Sequence, residues 1–291
     1  MSWVNAVIQG ILIGGLYALF ACGLSLLFGV MNVINLAHGD LAVVAAYLAL
    51  GAVAITHIPA VWAFLIVVPI FAVVGYVIQR TLFQAALNRS VLTTLLVTFG
   101  LSVVIENGLQ QFLTANSHSI GIGSLVSDSL TIGSISIAYL DLAILVVAVV
   151  VLVGLQYFLS GTRSGRLIRA VADDREAAQI AGVNYRHVFG VAAGIAFGTV
   201  ALAGIAFGMF SQFDPTIGTD QLLLFAFEAV VIGGLGSLWG TLGGGILLGV
   251  AQQIGANISP ADQVLAGQVL FLLILVVRPQ GITGRGRGVA A

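Results

Sequence analysis

Residues Gly161 to His187 read GTRSGRLIRAVADDREAAQIAGVNYRH. The stretch carries five of the chain's ten arginines although only 7% of the chain is charged, and a long apolar run lies on either side of it. A charged segment tethered at both ends to such runs must meet something polar. Its middle, Arg166 to Ala181, has no proline or glycine and is rich in good helix formers, and Gly182 stands where a helix would stop. The spacing predicts one short helix, with Leu167, Ala170, Val171, Asp174, Ala178 and Ala181 near one stripe. Arg169, Asp173, Arg175 and Glu176 lie around the rest. Such a helix suits either a membrane surface or a groove on another protein, and the remainder of the chain favours the groove.

Composition sets the class. With 59% hydrophobic residues and a mean hydropathy of +1.13, the chain has too little polar surface to cover a soluble globule, and several apolar runs are long enough to span hydrocarbon. The runs are continuous and do not alternate, which argues for helices and against an outer-membrane barrel. The expected fold is therefore an all-α, polytopic membrane protein of eight to nine hydrophobic segments, a single transmembrane domain over residues 1–291. A net charge of −1 and the absence of lysine make nucleic acid an unsuitable partner. One cysteine, Cys22, inside an apolar run allows neither a disulfide framework nor a metal site, and no metal or cofactor is expected. The first run has no basic flank and no small-residue cleavage site, so it is expected to be a retained span.

The apolar runs are Trp3 to Gly29, Leu41 to Ile55, Ala60 to Ile78, Val91 to Leu113, Tyr139 to Leu159, Val188 to Phe210, Leu222 to Ile232, Leu242 to Gln253 and Val264 to Val277. Short loops rich in arginine resist translocation, which puts Arg80 and Arg89, the 161–187 loop and the tail Arg278, Arg285 and Arg287 in the cytoplasm. Thr114 to Ala138 and Ser211 to Gln221 carry no arginine and should be external. Span counting then puts the N-terminus outside, unless a re-entrant segment near Gly29 to Asp40 reverses it. Between Asp220 and Arg278 an odd number of crossings is required. Two of the three apolar segments there are short, so they form either a pair of short crossings or a re-entrant hairpin. Ser129 to Leu140 is expected to form a short hairpin or to lie along the surface, and residues 281–291 to form a mobile tail.

Two interruptions stand out. Residues 233–240, GGLGSLWG, and residues 29–40, GVMNVINLAHGD, are polar or glycine-rich at membrane depth. Backbone of that kind survives in a bilayer only where protein buries it or a wet cavity hydrates it. Broken helices at corresponding positions of two halves are a pattern of transporters built from inverted repeats. The glycine series Gly10 and Gly14, and Gly194, Gly198 and Gly204, suits close helix packing.

Glu106 and Glu228 fall within the apolar runs, and an ionisable group there ordinarily faces a cavity or a partner. Each either lies close enough to the external interface to be hydrated or lines a solute path where a carboxylate meets an ammonium group. His38 and Asp40 flank Gly39 at a helix break. A proton relay is one reading, and the other has Asn35, His38 and Asp40 satisfying exposed helix-end groups. His57, His118 and His187 fall in or near loops with no specific role expected. No phosphate loop, nucleophile elbow or dinucleotide fingerprint is present, so no catalytic residues are assigned and the chain is not expected to be an enzyme.

Three ordered motifs carry a resemblance: Asn32-Val-Ile-Asn35-Leu-Ala-His38-Gly39-Asp40; Gly165-Arg166 with Arg169-Ala-Val-Ala-Asp173-Asp174-x-Glu176-Ala177-Ala178-x3-Gly182; and Val231-Ile-Gly233-Gly234-Leu-Gly236-Ser237-x2-Gly240-x2-Gly243-Gly244. They are similar to the permease family of branched-chain amino acid ABC importers, more narrowly the LivH type. The resemblance implies a bacterial inner-membrane subunit that pairs with a homologous LivM-type permease and takes solute from an external binding protein. Two cytoplasmic ATPase subunits would drive it. It further implies that Arg166, Arg169, Asp173, Asp174, Glu176, Ala177, Ala178 and Gly182 form a coupling helix. The Ile-x-Leu-Pro tail of many such loops is missing. Asn32, Asn35, His38, Gly39, Asp40, Glu106, Asn107, Glu228, Gly233, Gly234, Gly236 and Ser237 are the candidates for the translocation path. Related chains often carry a lysine near the position of Phe225 and a neutral residue where Glu228 stands, so the solute pocket here departs from that pattern. A urea or short-chain amide permease and a proton-coupled secondary transporter are the alternatives. A channel would explain the glycine breaks and nothing else.

Overall fold

The computed structural model describes residues 3–113, 115–121, 129–132 and 135–283. Helices α1 (Trp3–Met31), α2 (His38–Thr56) and α3 (Phe64–Ile78) come first. A π turn at Gln79–Phe83 joins α3 to α4 (Gln84–Leu87), and α5 (Val91–Leu113) follows. An antiparallel hairpin, β1 (Ser129–Ile132) with β2 (Ile135–Ala138), leads into α6 (Tyr139–Gly161). Next are α7 (Arg163–Asp173), α8 (Arg175–Ile180) and α9 (Tyr185–Phe210). A second π turn, Gly218–Leu222, opens α10 (Leu223–Gly233), and α11 (Leu238–Ile258) and α12 (Asp262–Val277) complete the chain. The protein is a polytopic all-α membrane protein whose small hairpin lies between spans.

Among the described residues, six helical runs are long and apolar enough to cross a membrane: α1, α2, Ala60–Leu87, α5, α6 and α9. The π turn with α10, and α11, meet at a bend of 116° across residues 234–237. The short segment Leu242 to Gln253 is thus the middle of a 21-residue helix, extended because Ser237 caps it by accepting from the Gly240 amide at 3.1 Å. Residues 32–37 form no helix, and α2 starts beside the middle of α1.

The two halves pack by exchange. α1 lies against α11 of the second half, and α9 lies against α3 of the first. Gly10 and Gly14 meet Gly249 and Ile246, while Gly194 meets the Ala72 carbonyl and Gly204 approaches that of Ala42. Rising numbers on α1 against falling numbers on α11 show antiparallel packing, with small residues allowing backbone contact. α1 ends beside the 161–187 loop and α9 begins there, so the central helices of the halves run in opposite directions. Between them lies one large cluster of buried side chains that includes Leu16, Phe20, Phe197 and Phe225.

Candidate functional site

The helix predicted over Arg166 to Ala181 is two helices. Asp174 breaks it: its backbone is extended, at φ −148° and ψ 104°, and its Oδ1 accepts from the amides of Glu176 and Ala177, both at 2.9 Å. An aspartate so placed is a strong N-cap, and capping α8 outweighs continuing α7. The inward residues are Ile168, Val171 and Ala178, seated on Leu26, Leu27 and Val30 of α1 and Leu152 and Leu155 of α6. Of the stripe expected from the sequence only Val171 and Ala178 are buried, and Leu167, Ala170, Asp174 and Ala181 are exposed. Gly182 does end the helix, with φ +84°, and the Gly182 and Val183 amides donate to the Gln179 and Ala178 carbonyls at 2.9 and 3.0 Å. The guanidinium of Arg175 stacks 3.8 Å from the Tyr185 ring centroid, tying α8 to the first turn of α9. Arg166, Arg169, Asp173 and Glu176 all lie on the exposed side or edge of this jointed pair.

Above α7 a cavity of about 260 Å³ separates it from the end of α1 and from the turn after α10, with Arg169, Gly236 and Ser237 on its walls. Gly233 and Gly234 shape that turn. Ile282 and Thr283 donate backbone bonds to the Ile232 and Gly233 carbonyls at 2.9 and 3.1 Å, so the start of the expected mobile tail, Gly281 to Thr283, is tied down. The rest of that tail, 284–291, lies outside the described residues.

The second centre is at mid-depth. The His38 Nε2 meets the carbonyl of Phe20, about halfway along α1, at 2.8 Å. Asn35 accepts from the Ala37 amide at 3.1 Å, and Asp40 bonds the backbone of Thr219 at the start of the second π turn, so two of the three expected helix-end contacts form. Asp40 is 0% exposed: Oδ2 accepts from Ser102 Oγ of α5 at 2.5 Å, and Oδ1 from Thr219 Oγ1 of the second π turn at 2.9 Å. The two hydroxyl oxygens lie 3.2 Å apart. Gly39 makes this possible, because a Cβ there would collide with the Gly218 carbonyl. The carboxylate thus joins one half of the chain to the other.

Glu106 lies one helical turn from Ser102 on the same face of α5 and within coulombic reach of Asp40, and its Oε1 accepts from Gln110 at 3.1 Å. Asn107 instead faces outward, bonded to the Val103 carbonyl, and Asn32 is exposed at the arginine-rich end with φ +53°. Glu228 is apart from Asp40. It is 1% exposed on α10, within coulombic reach of Tyr17, whose hydroxyl donates to Gln252 Oε1 at 2.5 Å. The Glu228 Oε2 has no hydrogen-bond partner. Among the histidines given no role, His187 Nδ1 bonds the Tyr76 hydroxyl at 2.9 Å. The His118 backbone pairs with Phe213 in both directions at 2.8 Å, closing the external end.

Sequence reasoning did not single out Ser102, Thr219, Tyr17 or Gln252. A signal existed for Ser102: Ser90, Thr94, Thr98, Ser102, Glu106 and Gln110 recur every four residues, a polar ridge along an otherwise apolar helix. Nothing in sequence pointed to Thr219, whose partner is 179 residues away.

A multi-pass helical body, two oppositely directed halves and polar side chains gathered at mid-depth define a membrane transport protein. Comparison with known proteins narrows the class. Residues 6–278 match the family described as branched-chain amino acid transport system / permease component, and the chain belongs to that family. It is 30% identical to the high-affinity branched-chain amino acid transport system permease protein BraD of Pseudomonas aeruginosa, over 97% of this chain and 96% of that one. The permease protein LivH of Escherichia coli K12, from the system of the same description, is 29% identical over 98% of this chain and 96% of its own length. A fructose import permease protein, FrcC of Rhizobium meliloti, is 33% identical over 44% of this chain. No solved structure matches.

Proposed function

We propose that the chain is one membrane subunit of an ATP-driven importer in the bacterial inner membrane, carrying branched-chain or other hydrophobic amino acids. It pairs with a homologous permease, receives solute from an external binding protein and is driven by two cytoplasmic ATPases that grip α7 and α8. The observation that carries the reading is the jointed pair itself: a charged face held rigid outside the bilayer by the Asp174 cap, the Gly182 stop and the Arg175–Tyr185 stack. A lever so fixed passes a push from below into α1, α6 and α9. It biases the membrane part only if its partner binds the two conformations differently.

Within the bilayer, Glu106 and Asp40 give the amino acid's ammonium group two carboxylates on one face, Glu106 nearer the external side. Glu228, with Tyr17 and Gln252, is a second candidate contact. Reconstituted with its partners, the protein is expected to take up leucine or valine in an ATP-dependent manner, and Glu176→Ala and Gly182→Val to abolish uptake without loss of protein from the membrane. Uptake that follows a proton gradient and ignores those substitutions would establish a secondary transporter in its place; uptake of urea or acetamide alone would move the solute class.

A further inference from the structure

The cavity above α7 is walled by three elements: α7 itself, the last turns of α1 and the 234–237 turn that leads into α11. Its wall combines a cation, a helix end, an unbonded hydroxyl and an apolar surface. Arg169 supplies the cation. Among the described residues no acidic side chain lines the wall, and no hydrogen bond or ion pair occupies the guanidinium. The last carbonyls of a helix have no partner within it, and at the end of α1 that of Phe28 takes the Asn32 amide at 2.9 Å. Those of Gly29 and Val30, both on the cavity, accept no backbone donor. This is the negative end of the α1 dipole, which attracts a positive group. Ser25 lines the same wall at 0% exposure, and its hydroxyl has no partner, which in a buried position calls for a reason. The apolar surface comes from Leu26, Leu159, Ile168 and Leu238. A volume of about 260 Å³ falls just under the usual range of small-molecule pockets, about 300–1,000 Å³, and suits a ligand of few atoms.

We infer that this cavity binds a hydrophobic amino acid from the cytoplasmic side and that the bound molecule restrains the lever. The carboxylate meets Arg169, with the Ser25 hydroxyl as a further donor; the ammonium group meets the Gly29 and Val30 carbonyls; the side chain lies on the aliphatic surface. The site is a dead end beside the lever and forms no stretch of the solute path. A molecule seated there bridges α7 to α1 and to the 234–237 turn. It favours the conformation in which these stay together and opposes the stroke that parts them. Accumulated solute thus slows its own import. This inference rests on the permease reading above and adds to it a regulatory site for the same solute.

The test uses the complete transporter in proteoliposomes, with its binding protein and labelled leucine outside and the ATPases, ATP and unlabelled leucine in the lumen. A site with so few polar contacts is expected to bind at about 1 mM, so luminal leucine near about 10 mM should slow the initial uptake rate at least about threefold. Luminal 4-methylpentanoate, which lacks the ammonium group, and isopentylamine, which lacks the carboxylate, are expected to leave the rate unchanged. Arg169→Gln removes the cation, and its half-inhibiting leucine concentration, read against its own uninhibited rate, is expected to rise about tenfold. Ala172→Phe fills the cavity from α7 without removing a polar group and is expected to escape inhibition. Absence of slowing by luminal leucine in the unaltered protein overturns the site, and so does equal slowing by 4-methylpentanoate. Slowing that persists undiminished in Arg169→Gln places the effect elsewhere and overturns it too, whatever Ala172→Phe does. A rate set by phosphatidylglycerol in the vesicle and indifferent to luminal leucine assigns the cavity to a lipid headgroup and overturns the inference. ATP-driven uptake into a leucine-free lumen keeps the permease reading standing through each of these failures; no uptake there, with all partners present, removes that reading instead.

Discussion

Asp40 and Glu228 are both almost fully enclosed, and they are buried differently. Asp40 accepts from Ser102 and Thr219, donors brought from two other elements and from both halves of the chain, and the backbones around it are drawn into contact by Gly39 and Gly218. Glu228 has the same degree of enclosure, yet one of its oxygens bonds to nothing, and its neighbours Tyr17 and Gln252 bond each other. A buried charge is tolerable when its lone pairs are met and costs several kcal/mol when they are not. Asp40 therefore has donors for both of its oxygens within the fold, and Glu228 keeps one oxygen that nothing in the described residues meets.

The contrast can be broken at its tightest point first. Gly39→Val drives a side chain into the Gly218 carbonyl, and a loss of about 3 kcal/mol is expected in unfolding of the purified protein, with transport abolished. An unaltered melting temperature would mean that the halves do not meet there. Asp40→Ala strands the buried Ser102 hydroxyl and the half-buried Thr219 hydroxyl and is expected to cost about 2 kcal/mol. A double-mutant cycle with Ser102→Ala should return a coupling of roughly 1 kcal/mol, and additive losses would deny the bond. Glu228→Leu should go the other way. Replacing an unmet carboxylate by an apolar side chain is expected to stabilise by about 1 kcal/mol while weakening solute affinity, and a fall in stability would reveal a structural partner for Glu228. The smallest effect belongs to the loop. Asp174→Ala removes the cap of α8 for about 1 kcal/mol or less of local stability, detectable as faster amide exchange over residues 175–181, with ATPase stimulation reduced. Unchanged exchange there would show that α8 does not depend on its cap.

Much of this architecture was legible in the chain. The nine apolar runs, the arginine-rich side, the helix stop at Gly182 and the glycine contacts of α1 and α9 all follow from local chemistry, because hydrocarbon demands long apolar helices and left-handed backbone favours glycine. The joint at Asp174 was legible in principle, since an aspartate before Arg-Glu-Ala-Ala is an N-cap signature, but the absence of proline and glycine there suggested continuity. The same holds for the ridge on α5, a four-residue period hidden in an apolar span.

By itself, then, the sequence determined the class of protein, its long apolar helices and the family to which it belongs, since each depends on composition, period or motif along the chain. Only the tertiary structure decided that Asp40 is satisfied by Ser102 and Thr219, that Glu228 is not satisfied, and that Gln79 lies unbonded in a π turn beside α5. Those outcomes depend on which backbones approach closely enough for a hydroxyl or an amide to reach, and residues 62 and 179 positions apart carry no trace of that approach in their local surroundings.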